Sequence, residues 1–409
     1  MTFSPPVTLR AKWILPVEGA PIEGGYVAIA GGRIAAIATT NPDLSPVDDL
    51  GDSILMPGLV NAHTHLEFSA LERPLGAPGM TLPEWIRLVI GERKRGDSDA
   101  GAAIRAGLAE SVAAGVTSIG EIATASASDY ATAKPQAELM LFQEAIGFSA
   151  GRVESVAGDV ERRLDAAAGL RAGISPHAPY TVHPLLLERL VRLAVDRRLP
   201  VAMHLAESRE ELQLLRDGDG PFRELLEERS MWDGSAIPRG SRPLDYLRAL
   251  VEAPRALVVH GNYFDQEEIE FLGQRRERMS IAFCPRTHGY FRHEAYPLEA
   301  MLDAGVRVAL GTDSRASNPD LDLLAEVRFA ARRFPGVSPE RWVRMATLDG
   351  AEALGLDKEL GSLAPGKRTD LIAVACSGDC RDPVEHVIGG DGLAAGANRL
   401  VRGPLPGRP

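Results

Sequence analysis

The central part of the chain alternates short apolar runs with longer segments of helical periodicity. Eight of the runs are apolar on both faces, which is typical of parallel strands buried under helices. The predicted strands are Leu59–His65, Thr117–Ile122, Leu139–Phe148, Ala172–Ser175, Val201–Leu205, Ala256–His260, Ser280–Cys284 and Val306–Thr312. Helical patterns between them include Ala102–Ala114, Leu185–Asp196, Glu210–Arg216 and Pro297–Ala304. This alternation over about 250 residues predicts an α/β fold of the (β/α)8 barrel type.

Both ends of the chain have a different pattern, with short strands separated by turns. Tyr26–Ala30 and Arg33–Ile37 flank a Gly-Gly pair, which predicts a hairpin. Asp52–Pro57 and Asp370–Ala375 are also strand-like, so the two ends are expected to form one small β domain beside the barrel. The expected division is 1–57 and 351–409 for this β domain, and 58–350 for the barrel.

Composition and charge exclude several classes of function. The chain has 409 residues and a net charge of −11, which argues against a basic nucleic-acid surface and against binding to anionic membranes. The first residues lack the pattern of a signal peptide, and no apolar run is long enough to cross a bilayer, so a cytoplasmic location is expected. Three cysteines without a CxxC pair argue against a disulfide framework and a zinc ribbon.

Histidines and one aspartate fall at the ends of the predicted strands. His63 and His65 lie two apart on the first strand, so their side chains point the same way. His204 and His260 end the fifth and sixth strands, and Asp313 follows the eighth. Strand ends of a (β/α)8 barrel converge on one mouth, where nitrogen and carboxylate ligands suit zinc, or iron or manganese. The sequence therefore predicts one divalent metal with room for a water molecule.

Each of these residues also has a purely structural interpretation. His204 could be a hydrogen-bonded core histidine, and Asp313 could cap the following helix. His260 fits equally well as a metal ligand or as a neutral imidazole that contacts the bound water. Glu207 can shuttle protons beside the metal, or it can simply stabilise a helix N-terminus. Structural roles are expected for His183 and His293, and His386, in the C-terminal part, is expected to play no part in the site.

Four motifs together resemble the amidohydrolase superfamily, and in particular its cytosine deaminase/chlorohydrolase (ATZ/TRZ) branch. They are Pro57–His65, His204–Glu207, His260–Asn262 and Gly311–Ser314. The resemblance implies a distorted (β/α)8 barrel with a composite β-sandwich domain. It also implies a divalent metal ion, with zinc as the first choice. A close branch of the superfamily holds two metal ions bridged by a modified lysine at the fourth strand. None of the five lysines lies at that strand here, which favours a single metal ion. The implied metal ligands are His63, His65, His204 and Asp313, with His260 at the water or the substrate.

The same resemblance implies a deaminase that replaces a ring amino group of a purine nucleoside or related heterocycle by water. Glu207, His260 and Asp313 would be catalytic, and the expected substrate contacts are His177, Trp85, Glu67, Arg286 and His288. The sequence His-Thr-His-Leu-Glu favours aminodeoxyfutalosine as the named substrate, ahead of adenosine-type nucleosides, and Arg286 would then meet a carboxylate. For Glu67, a salt bridge at the barrel mouth is the alternative.

Two other functions remain open at this level. One is a hydrolase of the same family that acts on a chloro-triazine, a cyclic amide or an imidazolone, and the other is a non-catalytic homologue. The expected partner is a small-molecule substrate, and a homodimer is expected by analogy with the branch. The long segments Glu67–Gly96 and Arg216–Pro243 are expected to form lids over the site.

Overall fold

The structure is a computed structural model that describes residues 6–42, 46–95, 99–133, 136–167, 169–376, 380–389 and 399–401. Its strands are β1 (Val7–Arg10), β2 (Trp13–Ile14), β3 (Ile22–Glu23), β4 (Tyr26–Ala30), β5 (Arg33–Ala38), β6 (Val47–Asp49), β7 (Ser53–Pro57), β8 (Leu59–Thr64), β9 (Val116–Ala123), β10 (Glu138–Ala145), β11 (Arg171–Pro176), β12 (Val201–Leu205), β13 (Ala256–His260), β14 (Met279–Phe283), β15 (Val308–Leu310), β16 (Leu371–Ala375) and β17 (Arg399–Val401). Helices follow most of the strands from β8 to β15, as expected for a (β/α)8 barrel.

The helices are α1 (Leu82–Lys94), α2 (Ala100–Ala113), α3 (Ala127–Thr132), α4 (Val153–Ala166), α5 (Pro184–Arg197), α6 (Arg209–Asp217), α7 (Pro221–Glu228), α8 (Pro243–Leu250), α9 (Gln266–Gly273), α10 (Pro285–Tyr290), α11 (Leu298–Asp303), α12 (Leu323–Arg333), α13 (Pro339–Met345), α14 (Leu348–Leu354) and α15 (Pro383–Gly389). None of the helices in the described part of the chain is long and apolar enough to cross a bilayer.

Eight strands, β8 to β15, form one sheet in which each strand neighbours the next along the chain. The registered pairs from β10 to β15 are parallel. A parallel bridge between Thr64 and Asp313 joins the end of the first strand to the residues after the last one. Asp313 donates its N–H to the carbonyl of His63 at 3.1 Å, and Thr64 Oγ1 donates to the carbonyl of Asp313 at 2.7 Å. The predicted barrel is therefore confirmed. The bridge that closes it joins Asp313 to Thr64, the residue after His63.

Two smaller sheets are built from the ends of the chain. One has the order β5-β4-β1-β6, and the other has the order β17-β16-β7-β2-β3. β16 pairs antiparallel with β7, from Leu371 opposite Pro57 to Ala375 opposite Ser53. A single apolar cluster includes Leu9 and Val27 of the first sheet and Leu55 and Leu371 of the second. The prediction that both ends build one composite β structure is confirmed.

The chain forms two compact units. One comprises Met1–Asn61, Glu110–Ser118 and Asp322–Pro409, and the other comprises Ala62–Ala109 and Ile119–Leu321. The second unit holds most of the barrel strands and every residue predicted at the metal site. The predicted division at 57/58 and 350/351 stays a prediction.

The turn after β12 shows how the sequence fixes the chain near the strand ends. The hydroxyl of Ser208 accepts the N–H of Glu211 at 3.2 Å and so begins α6. Gly218 ends the helix with φ +69°, a left-handed conformation that glycine adopts without strain. Glu207 is thereby held between the end of a buried strand and the first turn of a capped helix.

Gly311 lies where the barrel closes and has no room for a side chain. A Cβ atom there would lie 2.9 Å from the carbonyl oxygen of His63 and 3.1 Å from Cys284 Sγ.

We expect Gly311→Ala to lower the free energy of unfolding by about 1–3 kcal/mol, because backbone atoms would have to move. Chemical denaturation checks this, with Gly158→Ala in α4 as the control. The nearest atom to a Cβ there is the end of the flexible Arg162 side chain at 3.7 Å, so that change should be neutral or stabilising. Equal stabilities of the two variants would contradict the closure described here.

Candidate metal centre and active-site cavity

The strand ends bring four histidine rings together inside one unit. The ring centroid of His63 lies 4.9 Å from that of His65, 5.0 Å from that of His204 and 5.7 Å from that of His260. All four residues are buried, and so is Asp313. The structure therefore gathers the predicted metal ligands and His260 at a single point.

The spacing of the donor atoms fits a divalent cation. Nε2 of His65 lies 3.3 Å from Nε2 of His204, and Asp313 Oδ1 lies 3.7 Å from Nε2 of both His63 and His65. Zinc–nitrogen bonds of about 2.0–2.1 Å in a tetrahedral site place ligand atoms about 3.3 Å apart. His63, His204 and His260 each contribute one ligand atom, and these three atoms also lie within 4.8 Å of one another. A proton could bridge only two of these atoms, whereas a cation could satisfy all of them.

A hydrogen bond fixes the protonation of the His204 ring. Its Nδ1 lies 3.1 Å from the carbonyl oxygen of His177. A carbonyl oxygen only accepts hydrogen bonds, so Nδ1 must carry the proton, and Nε2 then presents its lone pair. This arrangement is typical of histidines that bind metals, because the outer hydrogen bond sets the tautomer and the ring orientation.

Burial disfavours the charged form of three histidines of the site, His65, His204 and His260. It lowers the pKa of His65 and His204 well below the ordinary value and that of His260 to about 3, with repulsion from neighbouring imidazoles adding to the effect for His65 and His204. Burial also acts to raise the pKa of Asp313, but the close contact with His63 and the other nearby imidazoles prevail and lower it. Neutral imidazoles and an ionised carboxylate are the protonation states that bind metal.

Backbone strain is concentrated at the strand ends of the site. Ala206, His260 and Asp313 have φ values of +52°, +71° and +55°. Residues other than glycine adopt this region at a cost, and they persist in it only where surrounding contacts hold them. The hydrogen bonds of Asp313 to the backbone of His63 and to Thr64 supply such contacts.

Glu207 presents a buried carboxyl group to the same space. Its Oε1 lies 3.4 Å from Nε2 of His260. Burial raises its pKa well above the ordinary value, and the negative charges of Asp313 and Glu211 raise it further. A carboxyl group of this kind can hold a proton near neutral pH and release it to a substrate.

Glu211 is a residue of the site that the sequence analysis missed. Its two carboxylate oxygens accept the N–H groups of Ala206 at 2.8 Å and Glu207 at 2.9 Å. Burial raises its pKa to about 7, although those hydrogen bonds oppose the shift. Asn262 Nδ2 donates to the carbonyl of Glu207 at 2.9 Å on the other side. Glu211 and Asn262 therefore hold the strained turn that aims Glu207.

A cavity of about 300 Å³ opens onto these groups. His65, His204, Glu207, His260 and Asp313 line its polar end. Most of the remaining wall is apolar, and it includes Phe68, Leu82, Trp85, Ile86, Val89, Ile90, Ile146, Tyr180, Phe222, Leu225, Leu226 and Met231. Both segments predicted to be lids contribute to this wall, through α1 and α7.

Two of the predicted substrate contacts line the cavity. His177 does so, with its Nδ1 2.7 Å from Thr181 Oγ1. Trp85 forms part of the wall, and its Nε1 donates to the carbonyl of Ala316 at 3.2 Å. Its ring also meets Phe291 edge-on, with centroids 5.4 Å apart. The indole is thus held in place beside the space that a substrate would occupy.

Glu67, Arg286 and His288 are not among the described residues that line the cavity. Glu67 forms an ion pair with Arg93 and accepts a hydrogen bond from Thr124, which is the alternative given for it above. Two nitrogens of Arg286 contact the carboxylate of Asp320, at 2.6 and 3.0 Å. This pair engages the guanidinium, and the expected contact of Arg286 with a substrate carboxylate stays a prediction.

Three further histidines, His288, His183 and His293, also contact other side chains or the backbone. His288 packs against the rings of Phe283 and Tyr296, with centroids 6.0 and 5.6 Å away. His183 caps α5 by accepting the N–H of Leu185, and His293 Nδ1 contacts the hydroxyl of Tyr263 at 3.0 Å.

Three charged residues of the cavity wall were also missed: Arg93, Glu144 and Arg229. A signal for two of them exists in the sequence. Trp85, Val89 and Arg93 are four apart and so share one face of α1. Glu144 lies near the end of a barrel strand, as the histidines do, and is also buried.

The role of Glu211 can be tested by Glu211→Gln. Glutamine offers one acceptor oxygen where two N–H groups need one each, so we expect a loss of about 1–3 kcal/mol in the free energy of unfolding. Displacement of Glu207 should lower kcat at least about tenfold while the metal content stays unchanged. Glu210→Gln in the same helix is the matched control and should change neither quantity. A variant with normal kcat would show that Glu211 does not position Glu207.

Comparisons with known proteins agree with this geometry. A model described as the amidohydrolase family matches residues 54–392. The 5-methylthioadenosine/S-adenosylhomocysteine deaminase of Moorella thermoacetica is 30% identical, over 92% of this chain and 86% of that protein. An adenosine deaminase from Xanthomonas campestris, solved with bound zinc, is 26% identical with a TM-score of 0.76, over 97% of this chain and 93% of that one. Helicobacter pylori aminofutalosine deaminase shares the fold at 21% identity, with a TM-score of 0.84 and coverage of 96% and 100%. The chain belongs to the amidohydrolase family, whose members are metal-dependent hydrolases.

Proposed function

We propose that the protein is a metal-dependent aminohydrolase that replaces the ring amino group of a purine nucleoside by the oxygen of water and releases ammonia. The observation that carries the proposal is the buried Glu207 carboxyl, which faces the same cavity as the converging donors of His65, His204 and Asp313. The relatives named as nucleoside deaminases support the same reaction class.

We propose zinc as the metal, held by His63, His65, His204 and Asp313. Three nitrogen ligands and one carboxylate suit zinc, and the related adenosine deaminase was solved with this ion. When bound, such a metal supplies an activated water molecule at neutral pH, because it lowers the pKa of that water.

The residues of the chain would divide the proton transfers between them. Asp313 accepts a proton from the attacking water as the C–O bond forms at the ring carbon. Glu207, protonated at the start, donates its proton to the adjacent ring nitrogen, so negative charge does not build up on the ring. Asp313 then returns its proton to the amino group, the C–N bond breaks and ammonia leaves, while Glu207 recovers a proton from the new hydroxyl group. His260, neutral and 3.4 Å from Glu207, orients the reacting oxygen.

The cavity wall supports a nucleoside with an apolar 5′ substituent. The ring would contact His177 and Trp85, and the aliphatic side chains of α1 and α7 would surround the substituent. Aminodeoxyfutalosine was the first choice of named substrate from the sequence, and that choice depended on Glu67 and on Arg286. Because Arg93 and Asp320 engage those side chains, we propose 5′-methylthioadenosine ahead of it.

A substrate panel tests the reaction class and the substrate together. We expect ammonia release from 5′-methylthioadenosine, less from adenosine and aminodeoxyfutalosine, and no product from chloro-triazines or cyclic amides. Chelation should abolish activity and zinc should restore it. Turnover of a triazine or an imidazolone without any nucleoside activity would favour the alternative hydrolases. A zinc-loaded chain that turns over none of the panel would favour the non-catalytic homologue.

Glu207→Gln tests the proton donor. We expect kcat to fall by about 10²–10⁴-fold, because glutamine cannot deliver the proton to the ring nitrogen. Zinc content and thermal stability should remain those of the unmodified protein, which separates loss of the acid from loss of the fold. Retention of full ring deamination by this variant would exclude the proposed role.

A further inference from the structure

Two of the three cysteines meet a histidine in the compact unit that both chain ends build, in a cluster formed by Cys376, Cys380 and His386. One ligand atom from each residue lies within 4.8 Å of the others. Both cysteines are free thiols, with 0% and 7% of their surfaces exposed, and His386 is half-buried. We call these three residues the thiol cluster. We propose that the thiol cluster is a binding site for a thiophilic divalent cation such as zinc.

Each member of the thiol cluster is held by a different part of this unit. Cys376 directly follows β16, and its N–H donates to the carbonyl of Asp52 at 3.0 Å. The carbonyl of Cys380 accepts a hydrogen bond from Trp13 Nε1 at 3.1 Å. Strand and indole thus fix the backbone of both cysteines, and their thiols meet without a disulfide between them.

The histidine is held by the start of α15. Asp382 caps this helix by accepting the N–H of Val384 at 2.9 Å and that of Glu385 at 3.1 Å, and its carbonyl accepts the N–H of His386. Nε2 of His386 lies 3.0 Å from the carbonyl oxygen of Ala375, the residue before Cys376. The imidazole is therefore fixed beside the strand that carries the first thiol.

The donor set decides the chemical class of the ligand. Thiolate sulfur and imidazole nitrogen bind zinc and similar soft ions, whereas hard ions such as magnesium and calcium require oxygen. Binding would convert both thiols to thiolates and release two protons. Three protein ligands leave one position for a water molecule or an added ligand. The spacing Cys-x3-Cys-x5-His carries this signal in the sequence, although it is not a CxxC pattern.

The experiment is cobalt titration of the full chain after removal of bound metal. Cobalt–thiolate bonds give ultraviolet charge-transfer absorption that the nitrogen and oxygen ligands of the barrel site cannot give. We expect this band in the unmodified protein, and its loss in Cys376→Ser and Cys380→Ser. It should persist in Cys284→Ser, the matched control. His386→Ala should weaken cobalt binding, measured by this band, at least about tenfold.

A second measurement needs no variant of the cluster. Stoichiometric zinc should protect Cys376 and Cys380 from alkylation, as read by peptide mass spectrometry, and a chelator should remove the protection. Absence of the charge-transfer band at saturating cobalt would overturn the proposal. So would a peptide pair lighter by two hydrogen atoms in the unreduced protein, because the cysteines would then form a disulfide and not a metal site.

Discussion

The convergence of buried nitrogen and oxygen atoms on one point is the constraint on which the rest of the site depends. His65 and His204 bring their Nε2 atoms to 3.3 Å, and Asp313 Oδ1 lies 3.7 Å from two imidazoles. Burial removes the water that would otherwise separate and solvate such atoms, so the arrangement is costly without a cation. The barrel imposes it nonetheless, because the bridge between Thr64 and Asp313 ties the first strand to the residues after the last.

Around that point the protein sets two carboxyl groups to opposite protonation states. Asp313 lies among imidazoles and has a lowered pKa, whereas burial and nearby carboxylates raise the pKa of Glu207. One group is thus suited to accept a proton and the other to donate one, which is the division that acid–base chemistry on a ring requires. Glu211 keeps the second group in place through backbone hydrogen bonds and lines no part of the cavity itself.

The barrel could be predicted from the sequence because its strands are buried on both faces and therefore consist of apolar runs. Several of these runs also end in a histidine. Long-range side-chain pairs left no such pattern. Arg286 meets Asp320, and Glu67 meets Arg93, through loop and helix geometry that no local rule supplies. The sequence therefore left a substrate contact and a salt bridge both open for Glu67, and it did not predict the partner of Arg286. The thiol cluster was missed because its spacing matches no common zinc motif, and only the pairing of β16 with β7 places Cys376.

The proposed zinc site is tested most directly by an anomalous-diffraction map, recorded at the zinc absorption edge, from crystals of the zinc-loaded protein. We expect a peak at about 2.0–2.2 Å from His63, His65, His204 and Asp313, at the polar end of the cavity. A map without a peak among these four side chains, from protein that deaminates a nucleoside at full rate, would contradict it.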